Sequence, residues 1–487
     1  MEYLIPLRCI VALLLLFNVM KLNNYSGVGM KNMVRLLCGF YLLALTTASA
    51  NQFSSDVPLI QPEQMSRQFW QTKLTAGDKV LLTAEQIAAR NEQTFAVQTE
   101  MQPLEHLPQA LSKTELLNII AKVSAIPTSA RFYADGREVS QQQWQQYRAL
   151  LAIDKVQLQN PLQFALVVKR TALRAFPTED RVFNSEANLD LDRFAETALF
   201  PTDAVVILHY SADSSWALVQ SFNYTGWVKT NDIATGSKEQ VLGYARRQPF
   251  LVVTGATVRT AYTPNRPDIS ELQLEMGVRL ALMDAADTGF SVHGQNPLAS
   301  YIVSLPVRNA DGSLAFVPAL IPRSADVSQG YLPFTANNIL QQAFKFLGER
   351  YGWGHDYNGR DCTGFISEIF RSFGFVMPRN SGQQGKGAYG DNIRFDQSSN
   401  AQEKLSAIQK ARVGDLFYFP GHVSLYLGMQ DNQPFMIHDV NTLIYPLENG
   451  QLYRGTLNGV VVTPMLPLNA NTEQSYLDAL YAIKSLR

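Results

Sequence analysis

The sequence predicts a multidomain α+β chain, on three observations. Apolar periodicity changes along the 487 residues, from helical spacing up to Pro161, to short strands between about 164 and 325, and then to helices followed by strands. A glycine-broken loop, Arg350 to Asp361, runs into apolar residues at helical spacing: Phe365, Ile366, Ile369, Phe370 and Phe373, stopped by Gly374. The first turn of that helix carries Cys362. Third, the length accommodates about three or four domains at the usual 100–200 residues each.

The chain begins with a leader, residues 1–50. Met30-Lys-Asn-Met-Val-Arg35 is basic, Leu36 to Leu45 is apolar, and Thr46-Thr-Ala-Ser-Ala50 supplies small residues. That order is the layout of a secretory signal peptide cleaved after Ala50, with Met30 or Met33 as the true start. Each leading apolar run is shorter than the roughly 20 residues that a membrane span needs, so no stable span is expected in the mature chain. Of three cysteines, Cys9 and Cys38 fall in the leader, which leaves Cys362 alone. A single cysteine in an exported chain points to a reactive thiol. Its place at a helix N-terminus predicts a lowered pKa, since unpaired N–H groups and the helix dipole favour the thiolate.

Residues 51–163 read as a helical stabilising or clip domain, with helices over Leu81–Arg90, Leu111–Val123 and Gln141–Leu151. Residues 164–249 read as a first small β-barrel: strands Phe164–Lys169, Ala204–Tyr210, Trp216–Gln220 and Gly226–Lys229, with a long polar loop after the first strand and a tight turn at Ala212–Ser215. This order, and Ser221-Phe-Asn-Tyr-Thr-Gly-Trp-Val228 in particular, resembles a bacterial SH3-like domain. Residues 250–328 repeat the theme, with strands at 251–254, 278–283, 300–305 and 314–318 and a hairpin turn at Asn309-Ala-Asp-Gly312. They read as a second SH3-like barrel.

Residues 329–487 open with an amphipathic helix, Thr335 to Phe346, and continue through the Cys362 helix and an irregular segment, 379–405. Ala411–Phe419, His422–Leu427, Phe435–His438 and Gly459–Thr463 then read as an antiparallel sheet. A thiolate nucleophile needs a base and a group to orient that base. His422 begins one strand and His438 ends the next, so cysteine, histidine and second polar residue follow the chain order of papain-like peptidases. His106, His209 and His293 read as structural or exposed.

The motifs Tyr351-Gly-Trp-Gly354, Arg360-Asp-Cys-Thr-Gly-Phe365, Pro378-Arg-Asn-Ser-Gly-Gln383, Val413-Gly-Asp-Leu416, Gly421-His422 and Tyr426-Leu-Gly428 resemble the NlpC-type cell-wall cysteine peptidases, and the barrels resemble members of that family carrying bacterial SH3 domains. The resemblance implies a papain-like α+β catalytic domain and hydrolysis of the γ-D-glutamyl–diaminopimelate amide of peptidoglycan (murein) stem peptides. It implies Cys362 as nucleophile, His422 as base, His438 as its orienting group and Tyr351 at the oxyanion. It further implies Asp361 and Tyr224 at the free amine of the stem's L-Ala, with Thr363 and Ser381 contacting substrate. Asp361 reads equally well as a helix cap, and Tyr224 and Trp227 as barrel core. Two positions depart from the pattern: Thr363 where serine is usual, and His355 where glycine is usual.

Net charge is −1 at neutral pH with scattered Lys and Arg, so nothing marks nucleic acid as a partner. Six dispersed histidines give no metal-ligand spacing, and no cofactor is expected. Two other functions compete with the exported, periplasmic or envelope-associated peptidase. One is a cell-wall-binding SH3 protein with an inactive catalytic domain; the other is an amidase or acyltransferase using the same triad.

Overall fold

In the computed structural model, residues 53–185 and 189–487 are described, so the leader, with Cys9 and Cys38, lies outside the described residues. Residues 57–487 form one compact unit. It has the multidomain α+β architecture that the sequence predicts, assembled from helices and several antiparallel sheets.

Helices α1 (Arg67–Gln71), α2 (Ala84–Val97), α3 (Lys113–Val123) and α4 (Gln141–Leu150) make up the N-terminal part, with a small ribbon of β1 (Ala110–Ser112) and β2 (Gln159–Pro161). Thr83 caps α2 through Gln86 N–H at 3.3 Å, and Gln86 answers through its side chain. This box, with buried Ile87 and Thr94, carries the helix to Val97, seven residues beyond the periodicity visible in the sequence. The N-terminal part braces both the first sheet and the C-terminal domain. Gln102 N–H donates to Phe222 O at 2.8 Å, and Asn91 Nδ2 donates to Gly374 O at 2.8 Å.

The first large sheet has the order β5-β4-β8-β7-β6-β3-β9. Its strands are β3 (Gln163–Val167), β4 (Thr171–Arg174), β5 (Ala195–Leu199), β6 (Ala204–Tyr210), β7 (Trp216–Gln220), β8 (Thr225–Lys229) and β9 (Ile233–Gly236). The expected long polar loop therefore contains two strands, β4 and β5. Each is four or five residues long and pairs mainly with the other, so neither shows a period in the sequence. Trp227 is fully buried and its indole N–H donates to Ser124 Oγ at 3.0 Å, so it serves the core.

The second sheet, β15-β14-β13-β10-β16, comprises β10 (Phe250–Val253), β13 (Arg279–Leu282), β14 (Ser300–Arg308), β15 (Leu314–Pro322) and β16 (Val327–Gln329). A separate ribbon pairs β11 (Thr257–Arg259) with β12 (Gln273–Glu275). The 309–312 turn joins β14 to β15, as its sequence predicts. Short α5 (Lys238–Tyr244) and α6 (Ala285–Thr288) flank these strands.

The C-terminal sheet runs β17-β22-β18-β19-β20-β21. Its strands are β17 (Asp391–Arg394), β18 (Leu416–Phe419), β19 (His422–Gln430), β20 (Gln433–Pro446), β21 (Leu452–Pro464) and β22 (Ala482–Ser485). Helix α7 (Ala336–Phe344), capped by Thr335, packs against α8 (Cys362–Arg371), and α8 lies on β19 and β20. Phe365, Ile366, Ile369 and Phe370 of α8 are fully buried, each contributing roughly 1.5–3 kcal/mol of burial. The segment 379–405 is not irregular. It folds as α9 (Ser381–Lys386), β17 and the start of α10 (Ala401–Lys410), and a short α11 (Tyr476–Ala479) follows β21. The polar Gln-rich turns of α9 and α10 are held by capping boxes at Asn380 and Asn400, which apolar spacing does not reveal.

The first sheet docks directly onto the loop before α8. A Cβ on Gly354 would lie 2.9 Å from the backbone of Ala195, so only glycine permits that approach. Arg170 reinforces it, donating to His355 O at 2.7 Å while pairing with Glu275 of β12 at 2.9 Å.

Candidate active site

Cys362 is the first residue of α8, and Asp361 is its N-cap, accepting from Gly364 N–H at 2.8 Å. The thiol is buried, 7% exposed, and Val423 N–H at the start of β19 bonds to its sulfur. His422 precedes Val423 and begins β19 as expected, whereas His438, expected to end its strand, stands inside the longer β20, which pairing with β21 carries on to Pro446. His422 Nε2 and His438 Nδ1 are 2.8 Å apart, and His438 Nε2 is 3.0 Å from Thr463 Oγ1 on β21. Three adjacent strands thus carry a hydrogen-bonded row that ends beside the thiol. The imidazoles are further walled by Phe419 and Tyr476.

Burial governs the protonation of this row. Desolvation disfavours charged forms, so it pushes the Cys362 thiol up to about 12, with the Asp361 carboxylate adding to the rise. It pulls His422 down to about 4, and His438 well below the ordinary histidine range with help from His422. The expectation of a lowered thiol pKa at the helix N-terminus is therefore corrected: removal from water and the adjacent carboxylate outweigh the helix dipole. Cysteine and imidazole rest as a neutral pair.

Tyr351 is buried, and its phenol is kept protonated by that burial, with the Asp361 carboxylate adding to the rise. Asp361 does more than cap. Arg379 Nη2 donates to its Oδ2 at 2.6 Å, and this buried ion pair holds the carboxyl far below the usual range despite complete desolvation. Thr363 Oγ1 donates to Asp361 Oδ1 at 2.9 Å and accepts from Arg379 Nη1 at 2.5 Å. Arg379 Nε reaches Thr197 Oγ1 on β5 at 2.6 Å.

Tyr224 lies across from this cluster, where its hydroxyl donates to Glu196 of β5 in a short hydrogen bond and also meets Asn380. Glu196 is largely buried, and burial raises its pKa against the pull of Tyr224 and Arg379. Ser381 opens α9; its carbonyl accepts from Tyr481 Oη at 3.4 Å, and no described bond joins it to the cysteine cluster. Cys362, His422 and His438 are thus brought together, Asp361, Thr363 and Tyr224 form a charged flank, and Ser381 stands apart. Sequence reading missed Arg379, Glu196, Thr197 and Thr463. Arg379 lies inside the Pro378–Gln383 motif, but Glu196 and Thr197 sit on the overlooked strand β5.

A sheet domain thus packs on a domain that buries a thiol and two hydrogen-bonded imidazoles. Residues 348–460 match the NlpC/P60 family and residues 181–229 match the SH3 domain (SH3b1 type), so the chain carries an NlpC/P60 domain together with an SH3b1-type domain. A γ-D-glutamyl-L-lysine dipeptidyl-peptidase of Bacillus cereus (strain ATCC 10987 / NRS 248) is 25% identical over 214 residues, 42% of this chain and 54% of that protein. Another, of Bacillus subtilis (strain 168), is 32% identical over 103 residues, 19% of this chain and 30% of that protein. The chain thus matches about half or less of these relatives' length. The solved structure of an NlpC/P60 endopeptidase from Photobacterium damselae subsp. piscicida superposes with a TM-score of 0.70 at 16% identity, over 86% of this chain and 96% of that one, and shares its fold.

Proposed function

We propose that the chain is an exported cysteine peptidase that hydrolyses the γ-D-glutamyl–diaminopimelate amide of peptidoglycan stem peptides and favours stems with a free N-terminal L-Ala. The observation that carries this reading is the row from His422 through His438 to Thr463, with the Cys362 sulfur bonded by the N–H of Val423, the residue after His422. A base that takes the thiol proton on Nδ1 keeps its own proton on Nε2, and here Nε2 is committed to His438. As the sulfur attacks the γ-carbonyl of D-Glu, the thiol proton passes to His422 Nδ1, and Tyr351 donates to the developing oxyanion. The C–N bond then breaks, and His422 returns the proton to the leaving α-amine. Water, deprotonated by His422, cleaves the thioester, which releases L-Ala-D-Glu and restores the thiol.

Asp361, the expected partner of the L-Ala ammonium, is already neutralised by Arg379. Glu196 suits that role better: it is a largely buried carboxyl whose one hydrogen-bond partner among the described residues is a neutral tyrosine, and a cation beside it would offset its desolvation. Tyr224 keeps its expected place as its partner. Thr363 and Ser381 remain substrate contacts in this reading, Thr363 through the Arg379–Asp361 pair.

The bond assignment is checked by mass spectrometry of L-Ala-γ-D-Glu-diaminopimelate after incubation with the protein. L-Ala-D-Glu and free diaminopimelate are expected from the wild type and not from Cys362→Ala. Cleavage at another amide would reassign the chain to an amidase, and retention of cell-wall sacculi with no cleavage would make it a binding protein.

A further inference from the structure

His355 belongs to none of the roles above, yet its ring is buried, 6% exposed, behind the first turn of α8. Its backbone is left-handed at φ +65°, a conformation that a non-glycine residue keeps only where its surroundings hold it. They do so from three sides. A Cβ on Gly364 would lie 2.7 Å from the ring, so the imidazole rests directly on the helix. Phe200 of the segment after β5 meets it edge-on at 5.6 Å, and Arg170 of the same sheet domain holds its carbonyl. Its Nε2 is 3.2 Å from Glu368 Oε1, and Glu368 is fixed in turn by Arg360 Nε at 2.8 Å. Its Nδ1 is 3.4 Å from Arg379 Nη2, the nitrogen that also serves Asp361.

A neutral imidazole satisfies both partners at once, donating from Nε2 to Glu368 and accepting at Nδ1 from Arg379. Beyond the ring lies a cavity of about 690 Å³ between the sheet domains and α8, lined by His355, Gly364, Glu368 and Arg379 but not by Cys362. The ring and Arg379 therefore border the same open space, side by side. We infer that His355 is a positioning residue that holds Arg379 on Asp361 and so sets the charge beside the Cys362 sulfur. Without the ring, Arg379 gains room to turn toward the cavity, and the Asp361 carboxylate is left less compensated one residue from the thiol. The same residue ties the docking of the SH3-type sheet to the reactivity of the cysteine, its ring through Phe200 and its carbonyl through Arg170. The charged groups that face it are Glu368 on α8, Arg379 before α9, Asp361 at the cap and Arg170 on the first sheet domain.

The inference rests on Cys362 as the reactive thiol but needs no substrate, so a failure to cleave stem peptides would leave it standing. Its test is the pH dependence of Cys362 alkylation by iodoacetamide, read by mass spectrometry of the Cys362 peptide, in the wild type, His355→Gly and His355→Asn. Glycine tolerates the left-handed backbone but supplies no ring. Asparagine also tolerates it, and offers Oδ1 to Arg379 without reaching Glu368. In His355→Gly the profile is expected to move to higher pH, with alkylation slowed about fivefold or more at mildly alkaline pH, and His355→Asn is expected to recover most of that loss. An unchanged profile in His355→Gly overturns the inference, as does an equal displacement in both variants. If His355→Gly loses its cooperative thermal transition, His355→Asn decides: a profile close to wild type supports the role of the Arg379 bond, and a shift of about fivefold overturns it.

Discussion

On the strand side of the site, burial keeps Cys362, His422 and His438 uncharged, whereas on the side closed by the SH3-type sheet Asp361 and Arg379 survive as an ion pair and the Glu196 carboxyl is bonded by the neutral Tyr224. The difference follows from what each side can offer. Strands β19, β20 and β21 present imidazoles and a hydroxyl, which satisfy one another as neutral donors and acceptors at 2.8 and 3.0 Å. The sheet domain contributes Thr197 and Glu196 from β5, and the catalytic domain answers with an arginine. A neutral side suits proton transfer during bond cleavage, and a charged side suits recognition of a charged terminus. In the proposed function, one carries the reaction and the other selects what enters it.

The largest way to break this division is Cys362→Ala. It should lower kcat by at least about 10³-fold while the far-ultraviolet circular dichroism and thermal midpoint stay close to wild type. Activity in that variant within tenfold of wild type would remove the nucleophile from the account.

Next in size, Arg379→Met leaves the buried Asp361 carboxylate without its counter-charge. Breaking one partner of a buried pair typically costs about 3–5 kcal/mol, so chemical denaturation should show a loss of that order. A loss no larger than that of an exposed substitution would mean that the pair is not buried in solution.

Glu196→Gln sharpens the comparison, because it alters only the selecting side. KM for an uncapped stem peptide should rise by about 10- to 100-fold, the worth of one charge-assisted contact, with kcat little changed and a capped peptide unaffected. A fall in kcat with no change in KM would place Glu196 on the reacting side instead.

The smallest effect is the pH response of the neutral side. Protonated His422 cannot accept the thiol proton, so kcat/KM falls as pH falls through the free enzyme's imidazole pKa. With that group near 4, the acid limb lies well below the ordinary histidine range, and kcat/KM should change less than about twofold between neutral pH and about pH 5. The sign is the same for stability. An imidazole whose pKa is depressed on folding contributes stability above its unfolded value, about 6.5, that is lost as pH falls toward 4. An acid limb centred at the ordinary value would show an imidazole open to water.

The two sides also differ in how much of them the sequence discloses. Cys362 and His422 were legible because each sits where a strong local pattern changes, a loop entering an amphipathic helix and the start of an alternating strand, and His438 because it lies on the apolar run next in the chain. The charged side was legible only in part, with Asp361, Thr363 and Tyr224 named through the resemblance and their partners missed. Glu196 and Thr197 lie on a five-residue strand whose pairing is wholly tertiary, inside what reads as a polar loop. Arg379 stood in a recognised motif, but its bonds to Asp361, Thr363 and Thr197 join three segments that nothing in the sequence brings together. The thiol's pKa was misjudged for a related reason. A helix N-terminus is visible in sequence, whereas the depth at which it is buried and the charge of its cap depend on the folded neighbours. At the scale of the fold, the amphipathic α7 and α8 and the hairpins around 212–215 and 309–312 followed their patterns, and the polar α9 and α10 did not, since caps rather than apolar faces define them.

The most direct measurement of the central claim is the ratio of kcat/KM for L-Ala-γ-D-Glu-diaminopimelate to that for the same peptide acetylated on L-Ala. An ammonium that loses its charge-assisted contacts in a buried site forfeits about 3 kcal/mol, so the ratio should be on the order of 100 or more, and Glu196→Gln should bring it toward one. A wild-type ratio near one, with both peptides cut at the same bond, would contradict the account: the thiol side would stand, and the charged side would be a structural clamp with no part in selecting the substrate.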